Sequence, residues 1–246
     1  MHPSAAANYE KIKSELRKQA WARLESYEVV VGPRPCYGKV PGFLGGISAA
    51  GKIAKTSFFK QARAVYFTSD GASRPLREEA LRRGKTIVLS QPLLKGYVVV
   101  HGSEVNAREA RMLSTLRGAL QMGEKLTLLE GIKVDMVVIG SVAVDKSGGR
   151  LGRGDGLYDL EYALLREMRA AEEKTPVVTL VHDVQVLDAE IPMLPHDVPV
   201  DIIATPSSLL MITARKYPKP SGVIWDLLPI QKIKSSRVLS MLFGLS

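Results

Sequence analysis

Apolar residues along the chain follow two rhythms: short, nearly unbroken runs alternate with stretches in which they return every third or fourth position. The unbroken runs predict buried strands, and the spaced ones predict helices. Tyr9 to Tyr27 is the first expected helix, with Ile12, Leu16, Ala20 and Leu24 along one face and Lys11, Lys13, Arg17, Lys18 and Arg23 on the others. Gly32 to Gly51 holds three prolines and six glycines and carries Arg34, Tyr37 and Phe43, which predicts a long, ordered, wrapped connection. Ala64 to Thr68 then reads as a strand, Arg74 to Arg83 as a charged helix closed by Gly84, and Thr86 to Leu89 as the next strand. Further strands are expected at Gly96–Val100, Val134–Val144, Val177–His182, Val200–Thr205 and Gly222–Trp225. Helices are expected at Ala107–Leu116 and from Leu160 to about Glu173. This alternation implies one α/β domain over residues 1–229 with a mostly parallel sheet flanked by helices. Residues 230–246 form a basic and apolar tail, either a packed helix or a segment that binds a partner or nucleic acid.

In such sheets ligands gather beyond the carboxyl ends of the strands. Asp70, Arg153, Asp159 and His182-Asp183 each follow a predicted strand, so they should share one rim.

Composition narrows the class. The chain has 246 residues, 46% hydrophobic and 24% charged, which suits a soluble globular protein with a sizeable core. Lysine and arginine outnumber aspartate and glutamate by 34 − 25 = 9, so anionic partners are favoured, whether nucleotides, polyanionic metabolites or nucleic acid. The single cysteine, Cys36, excludes an internal disulfide framework and an all-cysteine metal site, and suits a reducing compartment. Met1 to Asn8 lacks the basic flank and apolar core of a signal peptide, and no apolar run is long enough to span a membrane. A cytoplasmic location is expected.

The densest chemistry lies in Gly148-Gly149-Arg150-Leu151-Gly152-Arg153-Gly154-Asp155-Gly156-Leu157-Tyr158-Asp159. A strand, a glycine-rich loop and a helix start suit an anion, because backbone N–H groups approach it and the helix end adds partial positive charge. The arginines add planar donor forks. The stretch fits neither the Gly-Lys-Ser/Thr nor the G-x-G-x-x-G phosphate fingerprint, and a plain glycine hairpin is the structural alternative. Lys13 and Arg17, four apart on one helix, are neighbours on one face. Asp159 and Asp197 suit a Mg²⁺ that takes its other ligands from phosphates, while Asp159 serves equally as a helix N-cap. His182 and His196 each stand beside an aspartate, where a plain hydrogen-bonded histidine is also expected.

Lys13-x-x-Leu16-Arg17, Gly149-Arg150-Leu151-Gly152-Arg153-Gly154-x-Gly156-x-Tyr158-Asp159 and His196-Asp197-x-x-Val200-Asp201, in that order and spacing, resemble the 5-formyltetrahydrofolate cyclo-ligase family, also called methenyltetrahydrofolate synthetases. The resemblance covers roughly residues 11–206. It extends to the family's domain-containing subgroup through Arg34-Pro35, Pro41-x-Phe43-x-Gly45, Gly140-Ser-Val-Ala-Val144, Asp159-Leu-Glu-Tyr-Ala163, Thr175-Pro-Val-Val-Thr179, Val181-His-Asp183 and Pro218-Lys-Pro220-x-Gly222. Animal members of that subgroup carry an added RNA-recognition module, and no RNP-like aromatic motif occurs in these residues.

The resemblance implies a three-layer α/β fold and an ATP- and Mg²⁺-dependent ligase that turns 5-formyltetrahydrofolate into 5,10-methenyltetrahydrofolate with ADP and phosphate. It assigns Lys13 and Arg17 to ATP phosphates, with Lys13 and Arg153 acting in catalysis. Arg150, Leu151, Gly152, Arg153, Gly154, Asp155, Gly156, Leu157 and Tyr158 would wrap the nucleotide. Asp159 and Asp197 would hold Mg²⁺, and Asp70, Arg153 and Leu157 would face the folate. Three departures fall on the folate side: Leu157 replaces an aromatic, Asp70-Gly-Ala-Ser73 replaces Glu/Asp-x-x-Thr, and Thr127-Leu-Leu-Glu-Gly131 replaces Gly-Ile-x-Glu-Pro. They predict a nearly complete nucleotide site and an altered second-substrate site. The competing expectation is a diverged member that binds nucleotide or RNA without this activity. The sequence gives no oligomeric state.

Overall fold

A computed structural model describes residues 3–245. Met1, His2 and Ser246, the outermost positions of the two terminal segments read above, lie outside the described residues. The main sheet holds β1 (Ala64–Phe67), β2 (Thr86–Ser90), β3 (Tyr97–His101), β4 (Glu124–Leu126), β5 (Met136–Val138), β6 (Val177–Leu180), β7 (Ile202–Ala204) and β8 (Leu209–Met211). Their spatial order is β8-β7-β6-β5-β1-β2-β3-β4. From β7 to β2 the strands run parallel, while β8 on one edge and β3 and β4 on the other are antiparallel. Val65, Tyr66, Phe67, Met136, Val137 and Val138 are all buried, as central strands covered by helices on both faces require. The α/β class with a mostly parallel sheet flanked by helices is therefore what the alternating runs encode.

Several boundaries differ from expectation, each for a local reason. The single strand expected at Val134–Val144 is two. The chain leaves the main sheet around Gly140, and Ala143–Asp145 joins a separate small sheet between Arg150–Leu151 and Val186–Leu187. An apolar run marks burial without saying which sheet provides it. The connection expected to reach Gly51 ends earlier, because Gly46–Lys55 is a helix with Ala49, Ala50, Ile53 and Ala54 buried.

Ala107–Leu116 is broken into Ala107–Leu113 and Leu116–Met122, where Thr115 turns its hydroxyl to accept the Gly118 N–H at 3.0 Å. The helix expected to reach Glu173 stops at Glu167, and Arg169 just beyond has φ 55°. Gly222–Trp225 is no strand: the Val223 N–H donates to the Glu167 carboxylate at 2.9 Å instead of to a ladder. Trp225–Leu227 is a 3₁₀ turn.

The tail forms two short helices, Ile230–Ser235 and Arg237–Phe243, which bury Ile233, Val238 and Leu239. The Ser236 hydroxyl donates to the Leu94 carbonyl at 2.9 Å. Among the described residues no helix is long and apolar enough to cross a membrane. At the carboxyl ends of the parallel strands, Asp70 follows β1, Gly140 follows β5 and His182 follows β6.

Candidate active site

The glycine-rich stretch divides into a hairpin and a loop. Ala143–Asp145 pairs antiparallel with Arg150–Leu151, and the intervening turn is organised by one buried carboxylate. Asp145 Oδ1 accepts the Ser147 and Gly149 N–H groups at 2.8 and 2.9 Å, and its Oδ2 accepts the Ile191 N–H at 2.7 Å. Gly148 and Gly149 therefore lie in the turn of a hairpin, and Gly152–Gly156 form the loop that leads into the next helix. Gly156, at φ 66°, is the N-cap of helix Leu157–Glu167, a left-handed conformation that a side chain resists. Asp155 Oδ1 accepts the Leu157 N–H at 3.2 Å. Asp159 lies in the first turn and caps nothing, which removes its N-cap alternative.

Asp159 instead faces inward. Its Oδ1 accepts the Val198 N–H at 2.9 Å and pairs with Arg150 Nη2. Arg150 is 2% exposed, with Nε on the Val198 carbonyl at 3.0 Å and Nη1 on the Gly140 carbonyl at 2.9 Å. All three of its guanidinium nitrogens are engaged by protein, and the Leu151 side chain is wholly buried in the core.

A second pair lies beside the first. Lys13 Nζ contacts Asp197 Oδ1 and Oδ2 at 2.9 and 2.7 Å and Glu10 at 3.0 Å, and the Leu194 N–H donates to Asp197 Oδ2 at 2.6 Å. The helix, Pro3–Ser26, buries Ala20 and Leu24 of the expected face and half-buries Leu16, adds Lys13 and Trp21 to it, and leaves Ile12 exposed. Arg17 Nε donates to the Gly152 carbonyl at 3.0 Å, with its guanidinium against Gly154. Burial lowers the Arg17 pKa, while Glu10, Asp197 and Asp159 hold it up. Among the described residues Arg17 has no carboxylate within ion-pair distance, so its remaining nitrogens face the loop as free donors. His196 Nε2 stands 3.8 Å from Asp197 Oδ1, and His182 caps a 3₁₀ turn and meets Phe43 edge-on at 6.1 Å.

Arg153, which follows the Gly152 that Arg17 contacts, lines a cleft of about 1480 Å³. Phe43, Ile47 and Ala50 give it an apolar wall, Asp70, Arg153 and Tyr158 polar groups, and Lys55, Arg74 and Arg111 cations. Asp70 is buried, accepting the Thr68 hydroxyl on Oδ2 at 2.6 Å and the Ser73 N–H on Oδ1 at 2.8 Å. Arg153 lies over the Tyr158 ring at 4.8 Å and pairs with Asp155 at 2.5 Å, while its buried Nε has no partner among the described residues. Burial pushes the Tyr158 hydroxyl pKa up, and nearby Asp70 adds to the effect. Leu157 is half-buried against the core.

Beneath lies Glu161, accepting the Tyr66 hydroxyl at 2.9 Å and the Ser90 hydroxyl at 2.5 Å. Burial pushes its pKa up to about 7, against the pull of those two hydrogen bonds. Glu10, Thr68 and Arg77 received no site role from the sequence, and Gly140 and Glu161 entered only within the subgroup motifs. Only Glu161 carried a signal, an acid on an otherwise apolar helix face.

Asp159 Oδ2 accepts no hydrogen bond from the described residues and so is open to a further ligand, whereas both Asp197 oxygens are engaged by Lys13 and the Leu194 N–H. Among the described residues no cluster of three His, Cys, Asp or Glu side chains occurs, so the further ligands of a Mg²⁺ would have to be phosphate and water oxygens.

Comparison with known proteins follows the same lines. The model of the 5-formyltetrahydrofolate cyclo-ligase family matches residues 10–206. The methenyltetrahydrofolate synthase domain-containing proteins of Danio rerio and Homo sapiens are 31% and 32% identical to 98% and 94% of the chain, which spans 64% and 61% of theirs. The chain is therefore shorter than two thirds of these curated relatives. The solution structure of Aquifex aeolicus 5,10-methenyltetrahydrofolate synthetase superposes with a TM-score of 0.55 over 84% of this chain and 95% of that one, at 20% identity, a likeness of fold. With the family model covering most of its length, the chain belongs to the 5-formyltetrahydrofolate cyclo-ligase family.

Proposed function

We propose that the protein is an ATP- and Mg²⁺-dependent ligase that converts 5-formyltetrahydrofolate to 5,10-methenyltetrahydrofolate, with ADP and phosphate as the other products. The observation that carries this reading is the buried link between two unlike groups of residues. The charged cluster of Lys13, Arg17, Asp159 and Asp197 is tied through Arg150, Gly140 and Thr68 to Asp70, which lines a broad cleft with Arg153 and Tyr158. The first suits a triphosphate and the second a flat, polar-edged ring system with an acidic tail, whose carboxylates Lys55, Arg74 and Arg111 would attract.

The formyl oxygen attacks the γ-phosphorus and ADP leaves. The neighbouring folate nitrogen then closes on the formyl carbon and loses its proton, and the carbon–oxygen bond to phosphate breaks. Such a transfer needs positioning and charge stabilisation more than a protein nucleophile. Arg17 contacts phosphate with the donors that Gly152 leaves free, and Lys13 shifts from Asp197 toward phosphate. Asp159 and Asp197 would hold Mg²⁺, which when bound neutralises phosphate charge. Asp70 accepts from ring N–H groups, and Arg153 meets the reacting end from its stack on Tyr158.

The test is a coupled assay of ADP release together with the absorbance of the methenyl product. Both signals are expected with 5-formyltetrahydrofolate. ADP release from another folate alone would keep the ligase and change its substrate, as the lost aromatic at Leu157 would favour. Failure to bind Mg·ATP by titration calorimetry would overturn the reading.

A further inference from the structure

Two half-sites that must react need a fixed separation, and one threonine spans the gap between theirs. Thr68 is 1% exposed at the end of β1, where its N–H continues the ladder to the Val138 carbonyl at 3.0 Å. Its hydroxyl donates to Asp70 Oδ2 at 2.6 Å and accepts the Gly140 N–H at 2.8 Å. The Gly140 carbonyl in turn accepts from Arg150 Nη1 at 2.9 Å, and Arg150 holds Asp159. A chain of buried hydrogen bonds thus runs from the cleft carboxylate to the nucleotide-side carboxylate without passing through solvent. The approach tolerates no side chain at Gly140, where a Cβ would stand 2.6 Å from Asp70 Oδ2. Arg77 braces the cleft end, with Nη1 on the Thr68 carbonyl, Nη2 on the Asp70 carbonyl, both at 2.7 Å, and Nε on the Ser114 carbonyl at 2.8 Å.

We propose that the Thr68 hydroxyl is a positioning group that sets the spacing of the two half-sites, and so the alignment of the acceptor oxygen with the γ-phosphorus. This rests on the ligase reading above. Each half-site keeps its own ligand contacts when the bridge is cut, so the loss falls on the reaction step more than on binding, and a misplacement near 1 Å costs on the order of 100-fold in rate. Thr68→Val removes the hydroxyl at nearly constant volume, and Thr68→Ser restores it.

Steady-state kinetics with Mg·ATP and 5-formyltetrahydrofolate, paired with calorimetric Kd values for each ligand, test it. Thr68→Val should lose roughly 100-fold in kcat while both Kd values stay within about threefold, and Thr68→Ser should keep kcat near wild type. A raised folate Kd with unchanged kcat would reduce Thr68 to a folate-site support and overturn the proposal. Unchanged kcat with a lowered melting temperature would do so too. Should Thr68→Val fail to fold, Thr68→Ser still decides: a serine variant as slow as about 100-fold below wild type rules out the hydroxyl as the positioning group. Wild-type protein that binds Mg·ATP but turns over no folate would instead sink the ligase reading, and this one with it.

Discussion

The two halves of the candidate site handle charge in opposite ways. Where the nucleotide is proposed to bind, most acids and bases are already matched, Arg150 with Asp159 and Lys13 with Asp197 and Glu10, while Arg17 bonds only the Gly152 carbonyl among the described residues. On the cleft side fewer are matched: Arg153 pairs with Asp155 but its buried Nε has no partner among the described residues, and Lys55, Arg74 and Arg111 line the cleft. The paired side is preorganised, because burying opposite charges together avoids the larger cost of burying either alone. It suits a ligand of constant charge that exchanges one ion pair for another. The open side suits a ligand that supplies what is missing, so its specificity should be the more easily altered. Of the three departures from the family pattern, Asp70-Gly71-Ala72 lines that cleft, while Leu157 and Leu128 pack against the core.

Removing one member of a buried pair should have the largest effect. From sequence alone Asp159→Asn looks like the loss of a metal ligand with little cost to the fold. The pairing changes that expectation, since the variant leaves the Arg150 guanidinium buried and uncompensated. Turnover should be abolished, and stability should fall by about 3 kcal/mol or more in urea denaturation. An inactive variant with wild-type stability would show that Arg150 does not depend on Asp159. A fully active one would remove Asp159 from the metal site.

The next effect separates the cleft side by pH. Glu161 has a carboxyl pKa of about 7 in the folded protein against an ordinary 4.5. The folded state therefore binds more protons than the unfolded chain between those values, and stability falls as pH rises through that window. The contribution is complete below about pH 4.5 and gone above about pH 7, and it amounts to roughly 3 kcal/mol. Glu161→Gln should flatten this part of the stability curve, measured as melting temperature against pH. An unchanged slope would move the titration to another group.

How far the sequence carried depended on the range of the interaction. The β-loop-α-β unit of Ala64 to Leu89 was legible because unbroken apolar runs and a Gly84 stop are local signals. The glycine loop, Lys13, Arg17, Asp159 and Asp197 were legible as one motif set, and they do come together. What the pattern could not express was partnership at a distance. Arg150 reads as a phosphate donor until Val198 and Gly140 take its nitrogens. Lys13 reads as lying off the apolar face of its helix, yet it is buried against Asp197 while Ile12 of that face is exposed. The Thr68–Gly140 contact joins residues 72 apart and leaves no periodic trace. Burial converts ordinary polar residues into struts, and burial is a property of the assembled chain.

A smaller effect sharpens the open side directly. Arg153→Lys keeps the charge but loses the planar fork that stacks on Tyr158 and reaches Asp155. The KM for the second substrate should rise about tenfold, with the KM for ATP within about twofold, because only the cleft depends on that stack. Equal increases in both would place Arg153 across the boundary and weaken the contrast between the halves.

The smallest effect lies outside both halves, in the tail. Removing residues 230–246 to test for RNA binding would expose the core that Ile233, Val238 and Leu239 cover, so any loss of binding would be confounded with unfolding. Lys234 and Arg237 are exposed on those helices, and reversing both to glutamate changes the net charge from +9 to +5 without touching the buried face. Stability should move by less than about 0.5 kcal/mol, as for other surface changes, and turnover should not change. If the ligase reading is right, RNA affinity in both proteins stays weak and non-specific. A salt-dependent affinity in the wild type that the double variant loses would instead make the tail a nucleic-acid contact, because phosphate neutralisation falls steeply with salt and with each cation removed.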